Sequence, residues 1–267
     1  MASKTAKTVL VIGARKGIGK VTAEYLCQKG FTVIGTSRSP PQSPKAAYKF
    51  VQLDITDDAS VKVSIEQVWS ETGGIDVVVN NAGFSVCGAL LSTTVEEMRQ
   101  QFETNLFGFH RVVREIVPRM IDRGKGLVIH LGSIGGRLAI PYQSLYSASK
   151  AALAIYTDAL RMELSDTNVK FALVEPGDTR TDFHAGRHFV AGFEKDPKAV
   201  RAIEIMHKSE QKGDDPLKVA KTIYKIIKTK NPKPRYTVGF QAKWVSLALR
   251  LVPFILVEKF TKDEYKV

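Results

Sequence analysis

The chain has 267 residues, of which 44% are hydrophobic and 25% charged, and a formal charge of +12 at neutral pH. That length and mix suit one large α/β domain with a sizeable buried core and argue against global disorder. Two cysteines, Cys27 and Cys87, fall in no metal or redox spacing and read as packing residues in a reducing compartment.

Residues 1–7 lead straight into a strand-like run without the long apolar stretch that export requires, so a cytoplasmic location is expected. The lysines are spread through helix-like segments, with no aromatic interleaving and no nucleic-acid motif, so no nucleic-acid partner is expected. The positive charge reads as a solvated surface; an anionic membrane face or an anionic cofactor and substrate are the alternatives.

In chain order, the first strand spans Thr8–Ala14. Gly13-Ala14-Arg15-Lys16-Gly17-Ile18-Gly19 follows at once and opens a helix over Ile18–Lys29. Glycines there allow a tight turn, let a pyrophosphate approach the backbone and aim a helix N-terminus at its charge. The second strand, Phe31–Ser37, ends in Thr36-Ser37-Arg38. An NAD site usually carries an acid at that point, which would repel a 2′-phosphate, whereas Ser37 and Arg38 can bind one, with Arg15 and Lys16 adding charge nearby. NADP(H) is therefore the expected cofactor. A surface loop covers residues 39–44, and a third strand, Lys49–Ile55, carries Asp54 at its end. That acid suits either an adenine amino group or the entry of the next helix, Ala59–Thr72.

The fourth strand, Asp76–Asn80, closes in Asn80-Asn81-Ala82-Gly83, small residues where backbone must pass close to a ribose or another strand. A long helix is expected over Val95–Arg123, then a strand, Leu127–Gly132, with Ser133 at its end. Tyr146 and Lys150 open the helix Tyr146–Asp166 four residues apart, so phenol and ammonium share one face. A tyrosine working as a proton donor near neutral pH needs about 4 kcal/mol of help. One ammonium about 4 Å away supplies about that much at an effective dielectric near 20, so Lys150 is expected to lower the phenol's pKa. A strand at Lys170–Val174, the turn Pro176-Gly177, a helix at Pro216–Thr229, a stiff connector over residues 231–235 and a last strand at Arg235–Val238 complete the rhythm. Runs of Val, Ile and Leu without polar alternation mark strands buried on both faces. The expected fold is a single Rossmann-type domain, a doubly wound parallel sheet of about seven strands with helices on both faces.

Taken together, Gly13, Gly17 and Gly19, Asp54, Asn80 to Gly83, Asn105, Ser133, Tyr146 with Lys150, and Pro176-Gly177 followed by Thr181 closely resemble the short-chain dehydrogenase/reductase family, over about residues 8 to 181. Two departures are Ile12 before the first glycine, where the family often has threonine, and Asp178-Thr179 after Pro176-Gly177, where an apolar residue is more usual. The resemblance implies that Tyr146 exchanges a proton with the reacting oxygen, Ser133 donates to that oxygen, and Lys150 binds the nicotinamide ribose. Asn105 would hold a water linking Lys150 to solvent, and Thr181 with the backbone at Thr179 would orient the carboxamide. Gly13, Arg15, Lys16, Gly17, Ile18, Gly19, Ser37, Arg38, Asp54, Ile55, Asn81, Ala82, Gly83, Pro176 and Gly177 would line the dinucleotide. The implied partner is a small-molecule carbonyl or alcohol, bound by a homodimer or homotetramer. A non-catalytic NADP(H)-binding sensor or scaffold on the same fold is the alternative.

Residues 178–213 have weak periodicity and several large apolar side chains, and in this family the corresponding segment covers the substrate. Phe183 and Phe189 are the expected substrate contacts; with Phe84, Val86, Leu138 and Tyr142 they describe a lipophilic pocket suited to a steroid, a retinoid or an acyl-lipid ketone. The apolar stretch 241–260 carries Lys243, Ser246 and Arg250 as a narrow polar stripe. With Arg250 and Pro253 inside 241–257, that run is a poor spanning helix. It would lie in a membrane interface, making the protein peripheral there, cap the pocket, or bury itself against a second subunit. No metal is expected: His184 and His188 share a helical spacing but lack the glutamate of a zinc helix, and His130 reads as a hydrogen-bonded core group. No Gly-x-Ser-x-Gly elbow is present, so a hydrolase reading lacks its nucleophile.

Overall fold

A computed structural model describes residues 6–41 and 47–267; residues 1–5, and Gln42, Ser43 and Pro44 of the expected loop, lie outside the described residues. The elements run β1 (Thr8–Ile12), α1 (Gly17–Gln28), β2 (Thr32–Ser37), β3 (Lys49–Gln52), α2 (Asp58–Thr72), β4 (Val77–Asn80), β5 (Val86–Cys87) and α3 (Val95–Phe102). Next come α4 (Gly108–Asp122), β6 (Gly126–Leu131), α5 (Ser144–Glu163), β7 (Val169–Pro176), β8 (His188–Phe189), α6 (Pro197–Gln211) and α7 (Pro216–Lys228). The chain ends with β9 (Arg235–Val238), α8 (Phe240–Leu251) and α9 (Phe254–Tyr265).

Alternate residues of each central strand feed opposite layers. Leu10 and Ile12 of β1 pack with Val78 and Val128 against α2, α4 and α5, while Val9 and Val11 pack with Val77 and Ile129 against α1 and α7. Neither face meets water, which is why the strands read as unbroken apolar runs. Burying a side chain such as Leu10 contributes about 1.5–3 kcal/mol. The result is a seven-stranded parallel Rossmann-type sheet, ordered β3-β2-β1-β4-β6-β7-β9, with helices on both sides. The chain steps outward from β1 through β2 to β3, then returns to the other side of β1 at β4. A crevice opens at that reversal, beyond the carboxyl ends of the strands.

Three local expectations change. The long helix at Val95–Arg123 is interrupted: a π turn over Glu103–Phe107 separates α3 from α4. Residues 197–211, inside the weakly periodic region, form the helix α6, capped by Asp196, whose carboxylate accepts from the N–H groups of Lys198 (3.0 Å) and Ala199 (3.1 Å). The apolar C-terminal run breaks at Val252-Pro253 into α8 and α9. Among the described residues no helix is long and apolar enough to cross a membrane.

Candidate active site

A cleft of about 1020 Å³ lies along the carboxyl edge of the sheet. β1 ends at Ile12 because Gly13 takes a left-handed φ of 78°, and a Cβ there would meet the Ala82 backbone at 2.9 Å. Gly19 is a close-approach glycine of another kind: a Cβ would lie 2.2 Å from the Gly13 carbonyl oxygen. Asn81 Nδ2 donates to that same oxygen at 2.9 Å, tying the end of β4 to the glycine loop. Lys16 precedes α1 without a side-chain cap, so the first turn of the helix presents its backbone to the cleft, the arrangement that suits an anion. The cleft thus fits a pyrophosphate on its own geometry.

Every residue expected to hold the dinucleotide lines this cleft except Gly19, which packs behind the loop. At the end of β2, Ser37 and Arg38 face it, and Arg15 Nη1 donates to the Ser39 carbonyl at 3.1 Å. Lys16 also lines the cleft, with its ammonium against Gly186. Asp54 Oδ1 accepts from the Thr56 N–H (2.9 Å) and hydroxyl (2.7 Å). Helix entry falls instead to Asp57, which caps α2.

Ser133, Tyr146 and Lys150 meet further along the same cleft. Lys150 is buried and donates to the Leu131 carbonyl at 2.8 Å, with its nitrogen 5.9 Å from the centre of the Tyr146 ring. Burial brings its pKa down to about 8, so it stays largely protonated at neutral pH. The expected depression of the Tyr146 phenol is not found. Burial holds that pKa above the ordinary range, opposed by the Ser133 hydroxyl and reinforced by Glu210. The reason is direction: Lys150 is turned to a backbone carbonyl rather than to the phenol. The tyrosine ring keeps part of its surface open to the cleft, which moderates the effect.

Asn105 does not line the cleft; it stands behind it in the π turn. Its Oδ1 accepts from the Phe84 N–H (3.2 Å), and its Nδ2 donates to the Phe84 carbonyl and the Ser149 hydroxyl (both 3.1 Å). Ser149 in turn donates to the Tyr146 carbonyl at 2.8 Å, so Asn105 braces the first turn of α5. Gln101 supports the same loop, accepting from the Val86 N–H (2.7 Å) and donating to the Phe84 carbonyl (2.8 Å). Sequence reasoning missed Gln101 and Ser149. The signal was there in two buried amides four residues apart, Gln101 and Asn105, on one face of a helical run.

Phe183 lines the cleft and packs on Tyr146 with ring centroids 5.9 Å apart. Phe189 does not: it lies outside, packed on Phe193 (4.7 Å), because β8 pairs with β5 and turns it outward. Phe84 lines the cleft as expected, but Val86, Leu138 and Tyr142 do not; Ile140, Met206 and Tyr265 take their place, together with the polar Gln143, Asp178, Arg187 and Glu210. The pocket is therefore less lipophilic than expected. His130 is buried and bonded to Thr157 at 2.8 Å, and burial lowers its pKa to about 3. His184 pairs not with His188 but with His207 and Glu210, the three donor atoms lying within 4.8 Å. The Arg187 guanidinium already bridges His184 and Glu210, so a metal there would have to displace a cation.

The short chain dehydrogenase family model matches residues 7–188. The chain belongs to that family. A 3-ketodihydrosphingosine reductase of Bacteroides thetaiotaomicron is 39% identical over 235 residues, covering 86% of this chain and 87% of that one. A crystal structure of a short-chain dehydrogenase from Streptomyces avermitilis superposes with a TM-score of 0.83 at 33% identity, over 96% of both chains. Structures of the same fold hold NAD in some cases and NADP+ in others. The protein is thus similar to oxidoreductases that use a nicotinamide dinucleotide, and ketone reductases are among its relatives.

Proposed function

We propose that the protein is an NADP(H)-dependent reductase that interconverts a carbonyl and an alcohol on a long-chain lipophilic substrate. The observation that carries this reading is the convergence of Ser133, Tyr146 and Lys150 in one cleft with the glycine loop. Tyr146 passes a proton to the substrate oxygen, and Ser133 donates a hydrogen bond that strengthens as charge develops there. Lys150 is the cation that can favour the ionised phenol, and Asn105 positions it and Tyr146 through the α5 turn. The dinucleotide, when bound, supplies the hydride. Ser37 and Arg38, with Arg15 beside them and no acid at the end of β2, favour NADP(H) over NAD(H). Among substrates, the similarity to a 3-ketodihydrosphingosine reductase favours a long-chain ketone over a steroid or retinoid.

Residues 178–213 would act as the cover of this pocket within a single domain, joined to the body by the β5–β8 pair and by Val190, which packs on Gly88. The outward face of α8 and α9 supports a membrane-surface role. Phe240, Trp244, Leu247, Leu251, Phe254 and Phe260 all point away from the protein, with Lys243, Arg250 and Lys259 exposed among them. Exposed Phe107, Ile155 and Met162 around α4 and α5 would serve subunit contact in a homodimer or homotetramer.

Measuring NADPH consumption against long-chain ketones, 3-ketodihydrosphingosine included, tests the reading. Tyr146→Phe should lower kcat by about 10²–10⁴-fold and leave NADPH binding nearly intact. Bound NADPH without turnover of any ketone would instead favour a sensor. For the membrane role, sedimentation with anionic vesicles should be strong at low salt and lost in a Trp244→Ser/Phe254→Ser variant; a protein that stays in the supernatant refutes it.

A further inference from the structure

The far end of the cleft holds more charge than reduction of a ketone requires. Beyond Tyr146 its wall is formed by Asp178 after β7, Arg187 before β8, Glu210 on α6 and Tyr265 on α9. Arg187 is buried, donates to Glu210 Oε1 at 2.5 Å and meets His184 Nδ1 at 2.6 Å. Asp178 Oδ2 accepts from the Ser209 hydroxyl at 2.5 Å. Arg187 thus pairs with Glu210 alone, and Asp178 has no ion pair among the described residues. The other cation near this wall is Lys16, whose ammonium lies against Gly186. Among the described residues, neither Glu210 Oε2 nor Asp178 Oδ1 has a hydrogen-bond partner, although both side chains line the cleft.

We propose that Glu210 and Asp178 form a recognition site for an ammonium group that the substrate carries beside its reacting carbonyl. This rests on the reading of the protein as a long-chain ketone reductase and adds the polar group that such a ketone must bear. An ammonium has three donors, which suits two carboxylate oxygens left open on neighbouring elements, and hydrogen bonds to charged partners are the strong ones. 3-Ketodihydrosphingosine has this chemistry: an amine on the carbon next to the ketone, and a long alkyl chain for Phe183, Ile140 and Met206. The same two acids also work against ionisation of the Tyr146 phenol. A substrate cation seated between them offsets that field, so recognition and proton transfer are linked.

The test compares kcat/KM for 3-ketodihydrosphingosine with that for a chain-matched 3-ketone lacking the amine, at saturating NADPH. The wild-type ratio should favour the amine by about 30-fold, the size of one charged hydrogen bond. Glu210→Gln, which keeps an acceptor for Arg187, and Asp178→Asn should each cut that ratio about tenfold. A wild-type ratio near one, or a ratio that neither variant changes, overturns the assignment while leaving the reductase reading intact. If neither ketone turns over, the reductase reading fails, and calorimetry then decides the site alone. Dihydrosphingosine should bind more tightly than the chain-matched alcohol without the amine, a preference lost in Glu210→Gln; equal binding of the two ends the proposal.

Discussion

The sheet from β1 to β6 and the C-terminal helices α8 and α9 treat apolar side chains in opposite ways. In the first region Leu10, Val11 and Val79 vanish between two helical layers. In the second, α8 buries Ala242 against Gly177 and anchors Ser246 to Arg137 at 2.8 Å, while Trp244 and Leu251 look outward. One region spends its apolar surface on holding strand ends in register around the dinucleotide cleft. The other leaves much of its apolar surface exposed, and reaches the cleft through Tyr265 at the end of α9.

That contrast can be broken by mutation. Leu10→Ala should destabilise the protein by about 2–5 kcal/mol, whereas Leu251→Ala, 74% exposed at the wild-type residue, should stay within about 0.5 kcal/mol. Chemical denaturation reads both, and comparable losses would mean that α8 is as much part of the core as β1. A smaller effect tests the dinucleotide end. Arg38→Ala should lower kcat/KM with NADPH by about 30-fold and leave the NADH value nearly unchanged, since only the former has a 2′-phosphate to lose. Equal losses with both would remove Arg38 from phosphate recognition.

The finest effect concerns Lys150, whose pKa of about 8 lies below the ordinary 10.5. Below about pH 8 the folded protein carries a buried charge that the unfolded chain solvates, so the penalty is fully present there. Between about pH 8 and 10.5 the unfolded state binds the extra proton, and stability gains as pH rises. Melting temperatures of wild type relative to Lys150→Met should therefore climb across that window, and turnover should fall as the ammonium is lost. A flat difference would show that Lys150 is not titrating there.

The sheet and the motif positions were legible because each demands a residue type without substitute. Only glycine fits where a Cβ would meet a carbonyl at 2.2 Å, as at Gly19, and only doubly buried strands lack polar alternation. The π turn was hidden because α and π spacing place nearly the same residues on the buried face. α6 escaped notice because Ala199 and Ala202 contribute too little apolar contrast between its caps. For α8, periodicity revealed a polar stripe but not which way it faces. Ser246 is drawn inward by Arg137, 109 residues earlier, a partner no local window contains. The Tyr146 pKa failed for a related reason: spacing puts Lys150 on the same helix face, yet the Leu131 carbonyl claims its ammonium.

The backbone surplus stored at Glu103–Phe107 sets a trap for protein engineers. Excising one position, Leu106 for instance, would let an unbroken regular helix run from Val95 onward, with tighter hydrogen bonding. It would also rotate Asn105 by about 100° relative to α4, the sweep of a single helical residue, and release its grip on Phe84. Heat tolerance and turnover would then pull in opposite directions, and a library ranked by melting temperature alone would enrich inactive clones.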